Sequence, residues 1–465
     1  MIFNSIEFIL LFFVTLFSFH FIQEKYKIFL FFIVSSIFYS YLYAPYLLIL
    51  YFIIIIDFYF SSFIYKSKSL FYKKIFLIIS IVSNISILIY FKYSLFFVDV
   101  LNNFVNISTP EILVGLILPV GLSFHTFQSL SYVFEVYKGK FTPETNLLKY
   151  ASYVMFFPQL VAGPIERPQN VLPQFNFFGK LNSKNFFKGL EHILLGLFKK
   201  VVIADNIADF INIHFSDPAS SSSSLLLLST VLFSFQIYYD FSGYSSMAIG
   251  LAKIFNIDLM KNFDKPYLSS NLKEFWTRWH ISLSTWFRDY LYIPLGGSRY
   301  GKYVTNRNLL IVFLVSGLWH GANYTFIIWG GLHGLVLILQ SLNFFKISNT
   351  NNFKILIKII FNFCLVTLLW LFFRADNIDI AMLILDKLTL TTNYNLVDVL
   401  NISTILKLSI FIIFIFEITY RYFESFTNAV NSRDKFIKYS YFFILSSLII
   451  LIGNWGDVTF IYFQF

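Results

Sequence analysis

EFWTRWHISLSTWFRDYLYIPLGG, Glu274–Gly297, decides how this chain is read. Apolar Trp276, Trp279, Leu283, Trp286 and Phe287 recur at helical spacing. Arg278, His280, Ser282, Ser284, Arg288 and Asp289 fill the gaps, and Pro294 with Gly296–Gly297 ends the run. That much charge is unusual here, because the 465-residue chain is 57% hydrophobic and only 13% charged, with 62 phenylalanines. Soluble domains carry about 25% charged residues. A larger soluble core would not strip the outside of charge, so the composition predicts an integral membrane protein. Arg288 and Asp289 must then pair, snorkel to an interface or meet an anionic substrate.

Working outward, apolar segments of near-spanning length lie at 6–22, 28–44, 46–64, 75–98, 111–135, 146–161, 188–212 and 224–250. Others follow at 308–318 with 323–341, 354–373, 403–420 and 437–453. A span takes about 20 residues. Some of these are short or interrupted, so the expectation is an all-α protein of roughly ten to twelve transmembrane or re-entrant helices. One membrane domain covers 1–465, with N-terminal helices over 1–140, a polar-motif core over 141–345 and C-terminal helices over 346–465. Lys25 follows the first apolar run, so that run reads as a retained helix rather than a cleavable signal. Lys66, Lys68, Lys73 and Lys74 crowd one short loop. Placing them in the cytoplasm also puts Lys25, Lys27, Lys138 and Lys140 there, and the N-terminus outside. The formal charge of +10 is thereby explained by orientation in the bilayer, without nucleic acid. The single cysteine, Cys364, allows no intrachain disulfide.

FFPQLVAGPIERPQNVLPQF, 156–175, holds four prolines, an acid and an arginine. It is either a surface loop or irregular backbone lining a cavity. In SGLWHGANYTFIIWGGLHG, 316–334, His320 follows Trp319 and lies between Gly317 and Gly321. Those glycines allow close helix approach or room for a ligand. Asn323 lies three residues on, within reach on the same helical face, and His333 reads as structural or secondary. Histidine exchanges a proton near neutral pH and can deprotonate an attacking hydroxyl. Equally, His280 and His320 can be interior groups satisfied by carbonyls. In FQIYYDFSGYSSMAIG, 235–250, Gln236, Tyr239, Asp240 and Ser242 sit within an apolar run. Asp240 must pair, accept hydrogen bonds or protonate, and can serve to hold a histidine. No nucleotide loop, dinucleotide fingerprint or metal-ligand spacing occurs, so neither a bound metal nor a tightly held cofactor is expected.

The stretches FFPQLVAGPIERP, QIYYDFSGYSSMAIG, NFDKPYLSSNLKEFWTRWHISLSTWFRDYLYIPLGGSR (262–299), SGLWHGANYTFIIWGGLHG and the ending VTFIYFQF (458–465) together resemble the membrane-bound O-acyltransferase family. The resemblance is to its branch of alginate and peptidoglycan O-acetyltransferases and teichoic acid D-alanyl transfer proteins. It implies helices around a funnel or tunnel in a bacterial inner membrane. It also implies that His320 is the catalytic histidine and His280 the second family histidine. The chain departs at Ser246, where the family carries aspartate. The implied donor is acetyl-CoA and the implied acceptor an envelope polysaccharide hydroxyl, direct or through a periplasmic transferase or esterase-like partner. Asn323, His280 or a backbone N–H would face the oxyanion. Arg278 and Arg288 would hold donor phosphates or fix the helix at headgroups. D-alanyl transfer from a carrier protein and a transporter are the alternatives.

Overall fold

The computed structural model describes residues 1–465 apart from 2, 42, 103, 106–109, 111, 112, 114, 343–350, 430–434, 457, 459, 464 and 465. The expected ending therefore lies partly outside the described residues. Regular structure among them is helical throughout. Five helices are long and apolar enough to cross a membrane: Tyr46–Lys66, the continuous run Leu70–Asn102, Ser223–Ile254, Tyr324–Ser341 and Asn352–Arg374. Ile6–Phe21 and Tyr439–Ile452 are shorter and apolar.

Three of the other predicted segments fall short because the chain breaks them. The 111–135 segment becomes helical only at Leu122. The 146–161 segment holds a helix over Leu147–Val154 and then leaves it. The 188–212 segment is divided by a π-helical turn, Phe198–Ala204.

Burial follows a membrane pattern. In four of the five candidate spans only 17–39% of the most apolar window is buried. Leu48, Phe52, Val82, Leu356 and Phe361 are exposed on them. Helices with all backbone bonds made internally can present such faces to lipid. Ser223–Ile254 is the exception, with 72% of its window buried. It is also the span that carries Gln236, Tyr239, Asp240 and Ser242.

The chain divides into two compact units, each assembled from separated segments. The first comprises Met1–Leu190, Ala248–Asn262 and His280–Leu295. Its phenylalanines pack on one another: Phe31 meets Phe156, Phe178 and Phe255 at ring-centroid distances of 5.4, 5.1 and 5.2 Å. Offset and edge-on ring pairs fill volume without demanding polar partners, which gives the phenylalanine excess a use. The second unit comprises Glu191–Met247, Phe263–Trp279 and Gly296–Phe465. Here Trp279 packs on Phe275 at 5.5 Å and Trp370 at 5.0 Å. A Cβ added at Gly196 would lie 2.6 Å from the Gly243 carbonyl, and one at Gly243 2.8 Å from the Gly196 carbonyl. Two helix backbones touch there, a contact that only the smallest side chain permits.

The loop after Val154 is interior. Residues 155–166 are all buried, and several of their backbone groups bond to protein groups. Tyr153 O accepts from Gln128 Nε2 at 2.8 Å and Gln159 Nε2 at 2.9 Å. The Tyr153 hydroxyl donates to Glu166 O at 2.9 Å, and Phe157 N donates to Ser35 Oγ at 3.1 Å. Over 155–166 the surface-loop reading is excluded, whereas Gln169, Asn170 and Pro173 further on are exposed. The gap beside the buried stretch, lined by Phe124, His125, Gln128, Gln159, Gly163 and Pro164 among others, is too narrow to hold a water molecule.

Candidate functional site

The WTRWHISLSTW stretch is not one helix. Helix Leu272–Arg278 stops, and helix Ile281–Phe287 starts afresh after His280. His280 has φ 43° and ψ 54°, the left-handed region. A non-glycine residue pays about 1–3 kcal/mol there. Asn262 supplies the compensation. Its carbonyl accepts from Ile281 N at 2.9 Å. Its Oδ1 accepts from Ser282 N at 3.2 Å, Ser282 Oγ at 2.9 Å and His280 Nδ1 at 3.2 Å. An oxygen acceptor at Nδ1 sets the proton there and leaves the Nε2 lone pair as the ring's basic position. The imidazole is fully buried and stacks against Phe124 at 6.2 Å. Helical periodicity alone cannot reveal this break, because the reversal is made by a residue eighteen positions earlier.

The expected pairing of Arg288 and Asp289 is present. Arg288 Nε meets Asp289 Oδ1 at 2.8 Å, and Arg167 lies 3.6 Å from Asp289 Oδ2. The Arg167 guanidinium and the Lys138 ammonium also lie on the Tyr290 ring, at 4.8 and 4.4 Å. The Tyr290 hydroxyl donates to Glu135 at 2.9 Å. Burial holds the Lys138 ammonium below its ordinary value, and Glu135 pulls the other way. These groups tie the π-turn Arg288–Tyr292 to helix Leu122–Tyr137 and to the start of the Pro168 helix. Arg167, Glu135 and Asn262 were not singled out from sequence. Arg278, in the second unit, pairs with Glu274 at 2.6 Å, one helical turn away.

His320 ends helix Gly301–His320, which turns back into Tyr324–Ser341. The two helices meet backbone to backbone. A Cβ at Gly317 would lie 2.2 Å from Phe326 O, and one at Gly330 2.2 Å from Phe313 O. Gly317→Val is therefore expected to lower stability by at least about 2 kcal/mol, read by thermal unfolding in detergent. Space beside the imidazole for a ligand does not come from these glycines. The Phe326 ring occupies the place a Gly321 side chain would take, 2.1 Å from a built Cβ. The His320 ring is buried among Trp319, Trp329, Phe373 and Tyr462, at 4.9, 5.1, 5.3 and 5.7 Å.

Asn323 is not on the helical face of His320, because that helix has already ended. It caps the next one, accepting from Thr325 N at 3.1 Å, and its amide donates to Asp376 O at 2.8 Å. His333 Nδ1 accepts from Trp276 Nε1 at 3.3 Å.

Asp240 is paired. Lys200 Nζ lies 2.9 Å from Asp240 Oδ1 and 2.7 Å from Asp205 Oδ1, all three side chains at most 3% exposed. Asp240 Oδ2 also accepts from Ile461 N at 2.8 Å. The carboxylate thereby fixes the residue preceding Tyr462, whose ring touches His320. This is the sense in which the FQIYYDFSGY cluster reaches the histidine. Asn454 N donates to Val201 O at 2.8 Å, securing the same C-terminal stretch. Lys200 and Tyr462 escaped the sequence reading; the run LFKKVVIAD, two lysines inside an apolar segment, was the signal available. Tyr239 donates to Glu417. Gln236 and Ser242 are buried on the same helix as Asp240. Ser246 donates to Ser242 O at 2.7 Å. Among the described residues no group of three or more His, Cys, Asp or Glu is placed to hold a metal.

Residues 143–375 match the sequence profile of MBOAT, the membrane-bound O-acyltransferase family. The chain is 42% identical over 309 residues to a probable alginate O-acetylase of Azotobacter vinelandii, covering 66% of this chain and 61% of that one. It is 41% identical over 345 residues to a peptidoglycan O-acetyltransferase of Helicobacter pylori, covering 68% and 64%. To a teichoic acid D-alanyltransferase of Bacillus subtilis it is 30% identical over 243 residues, covering 50% and 60%. The chain thus spans about three-fifths of the length of the curated relatives it matches.

Proposed function

Because this chain belongs to the membrane-bound O-acyltransferase family, we propose that it moves an acetyl group from acetyl-CoA to a hydroxyl of an envelope polysaccharide or of a periplasmic partner protein. The observation that carries the proposal is the setting of His320: a buried imidazole at a helix C-terminus, walled by aromatic rings. The negative end of the helix favours the imidazolium that forms when the ring takes a proton.

His320 takes the hydroxyl proton as the oxygen attacks the thioester carbonyl. A tetrahedral oxyanion forms and collapses, the C–S bond breaks, and the thiolate leaves and recovers a proton. A thiol, with a pKa near 8.5, leaves without strong acid assistance. His280 is the second family histidine, its proton held on Nδ1 by Asn262. Asp240 and Tyr462 position His320; Gln236, Tyr239, Ser242 and Trp319 support that wall. Asn323 shapes the turn after His320 rather than facing the oxyanion. Arg278, Arg288 and Asp289 anchor the helices that flank His280. The full protein has ten to twelve membrane or re-entrant helices around a funnel in a bacterial inner membrane, with its N-terminus outside.

O-acetyl content of purified peptidoglycan and exopolysaccharide, compared between a deletion strain and its complement, tests the activity. One polymer is expected to lose its acetyl groups in the deletion; unchanged acetylation of both rejects the proposal. D-alanyl transfer is the second reading, favoured by the teichoic acid relative, and loss of D-alanine esters instead would establish it. The higher identities are to O-acetylating relatives.

His280→Gly separates chemistry from backbone. Glycine accepts the left-handed conformation without strain, so the variant is expected to reach normal membrane amounts while losing about tenfold or more of transfer activity. Wild-type transfer would confine His280 to holding the turn.

A further inference from the structure

Asp57 lies at the middle of span Tyr46–Lys66 and is fully buried. Every partner it has among the described residues is a neutral donor. Ser80 Oγ donates to its Oδ1, and Ser129 Oγ and Asn84 Nδ2 (2.9 Å) donate to its Oδ2. The Ser129 hydroxyl also lies 2.8 Å from the Tyr150 hydroxyl. Neutral donors orient a carboxylate but do not cancel its charge. At this depth an uncompensated charge is costly, so the group must hold either a proton or a cation.

Two further oxygens distinguish these possibilities. Ser61 Oγ and Asn84 Oδ1, both on fully buried residues, have no hydrogen-bond partner. Ser61 is one helical turn from Asp57 on the same face. Asn84 Oδ1 hangs from the amide carbon whose nitrogen already touches Asp57. A proton on Asp57 leaves both oxygens idle, at the usual cost of buried unsatisfied acceptors. A cation employs them, together with the lone pairs of Ser80, Ser129 and Tyr150.

The donor set is all oxygen, which selects a hard ion over a transition metal. With one carboxylate present, a monovalent ion gives neutrality, whereas a divalent ion would leave a buried positive charge. Direct hydrogen bonds draw the cluster together, at 2.8 Å between the Ser129 and Tyr150 hydroxyls and 2.9 Å from Asn84 to Asp57, so a small ion is the one to test. We propose that Asp57, Ser61, Ser80, Asn84 and Ser129 form a sodium site that pins three N-terminal helices together. The site stands apart from the acyl-transfer reading and does not depend on it.

The test is thermal unfolding of the purified full-length protein in detergent, with NaCl titrated against choline chloride or KCl at constant ionic strength. Sodium is expected to raise the midpoint saturably, by roughly 2–5 °C, and Asp57→Asn to abolish the dependence. A sodium curve matching potassium or choline overturns the proposal, as does retained sodium dependence in Asp57→Asn. Stabilisation on acidification with no sodium effect also overturns it, since the group then holds a proton. Should Asp57→Asn fail to fold, Ser61→Ala is expected to raise the half-effect sodium concentration about tenfold; an unchanged value counts against the site. Saturable binding of radioactive sodium to the wild-type protein is expected as well, and its absence overturns the assignment.

Discussion

Replacing His320 by alanine is expected to reduce acyl transfer by at least about a hundredfold while leaving the protein in the membrane at normal amounts. General base catalysis contributes about 10²–10⁴-fold, and the substitution removes the imidazole at this helix end. The aromatic wall that surrounds the ring stays in place. The cavity left by the imidazole costs some stability, so two readouts are needed: polymer O-acetyl content, and membrane abundance with thermal unfolding in detergent. Loss of acetylation with retained abundance assigns the chemistry to the ring. Full acetylation would remove His320 as the base and, with it, the mechanism.

The second large effect is on stability. Lys200→Met is expected to destabilise the second unit by about 3–5 kcal/mol, because Asp205 and Asp240 would be left buried without their cation. Membrane abundance should fall and the unfolding midpoint drop. The triple change Lys200→Met, Asp205→Asn and Asp240→Asn should recover most of that loss, since it removes the charges together. Its activity is expected to stay low. The Ile461 amide would then meet a neutral acceptor, and Tyr462 would be held less firmly against His320. A Lys200→Met protein with wild-type unfolding would mean that the three charges do not act as one group.

Much of the site was legible in the residues. A carboxylate in an apolar run must find a partner, so Asp240 announced a buried pair although not the identity of Lys200. Arg288 and Asp289 were expected to pair and do. The close approach foreseen at Gly317 is present. The reading failed where it extended a helix by counting. Trp276 to Phe287 follows helical spacing, yet the chain reverses at His280 because Asn262 offers its amide and carbonyl to the next turn. Asn323 lies three residues from His320 and still faces elsewhere, since it begins a new helix. Room for a ligand beside Gly321 was a fair inference from its size, but Phe326 fills it.

By itself the sequence determined that the chain is helical and membrane-embedded, because apolar content and scarce charge are properties of composition and need no partner. It also determined the family, since the family's motifs are contiguous stretches. Only the tertiary structure decided which helices break, which lysine neutralises Asp240, and that Tyr462 meets His320. Those contacts join residues up to two hundred and more positions apart, and local spacing holds no record of what another segment will bring to a buried charge or a strained turn.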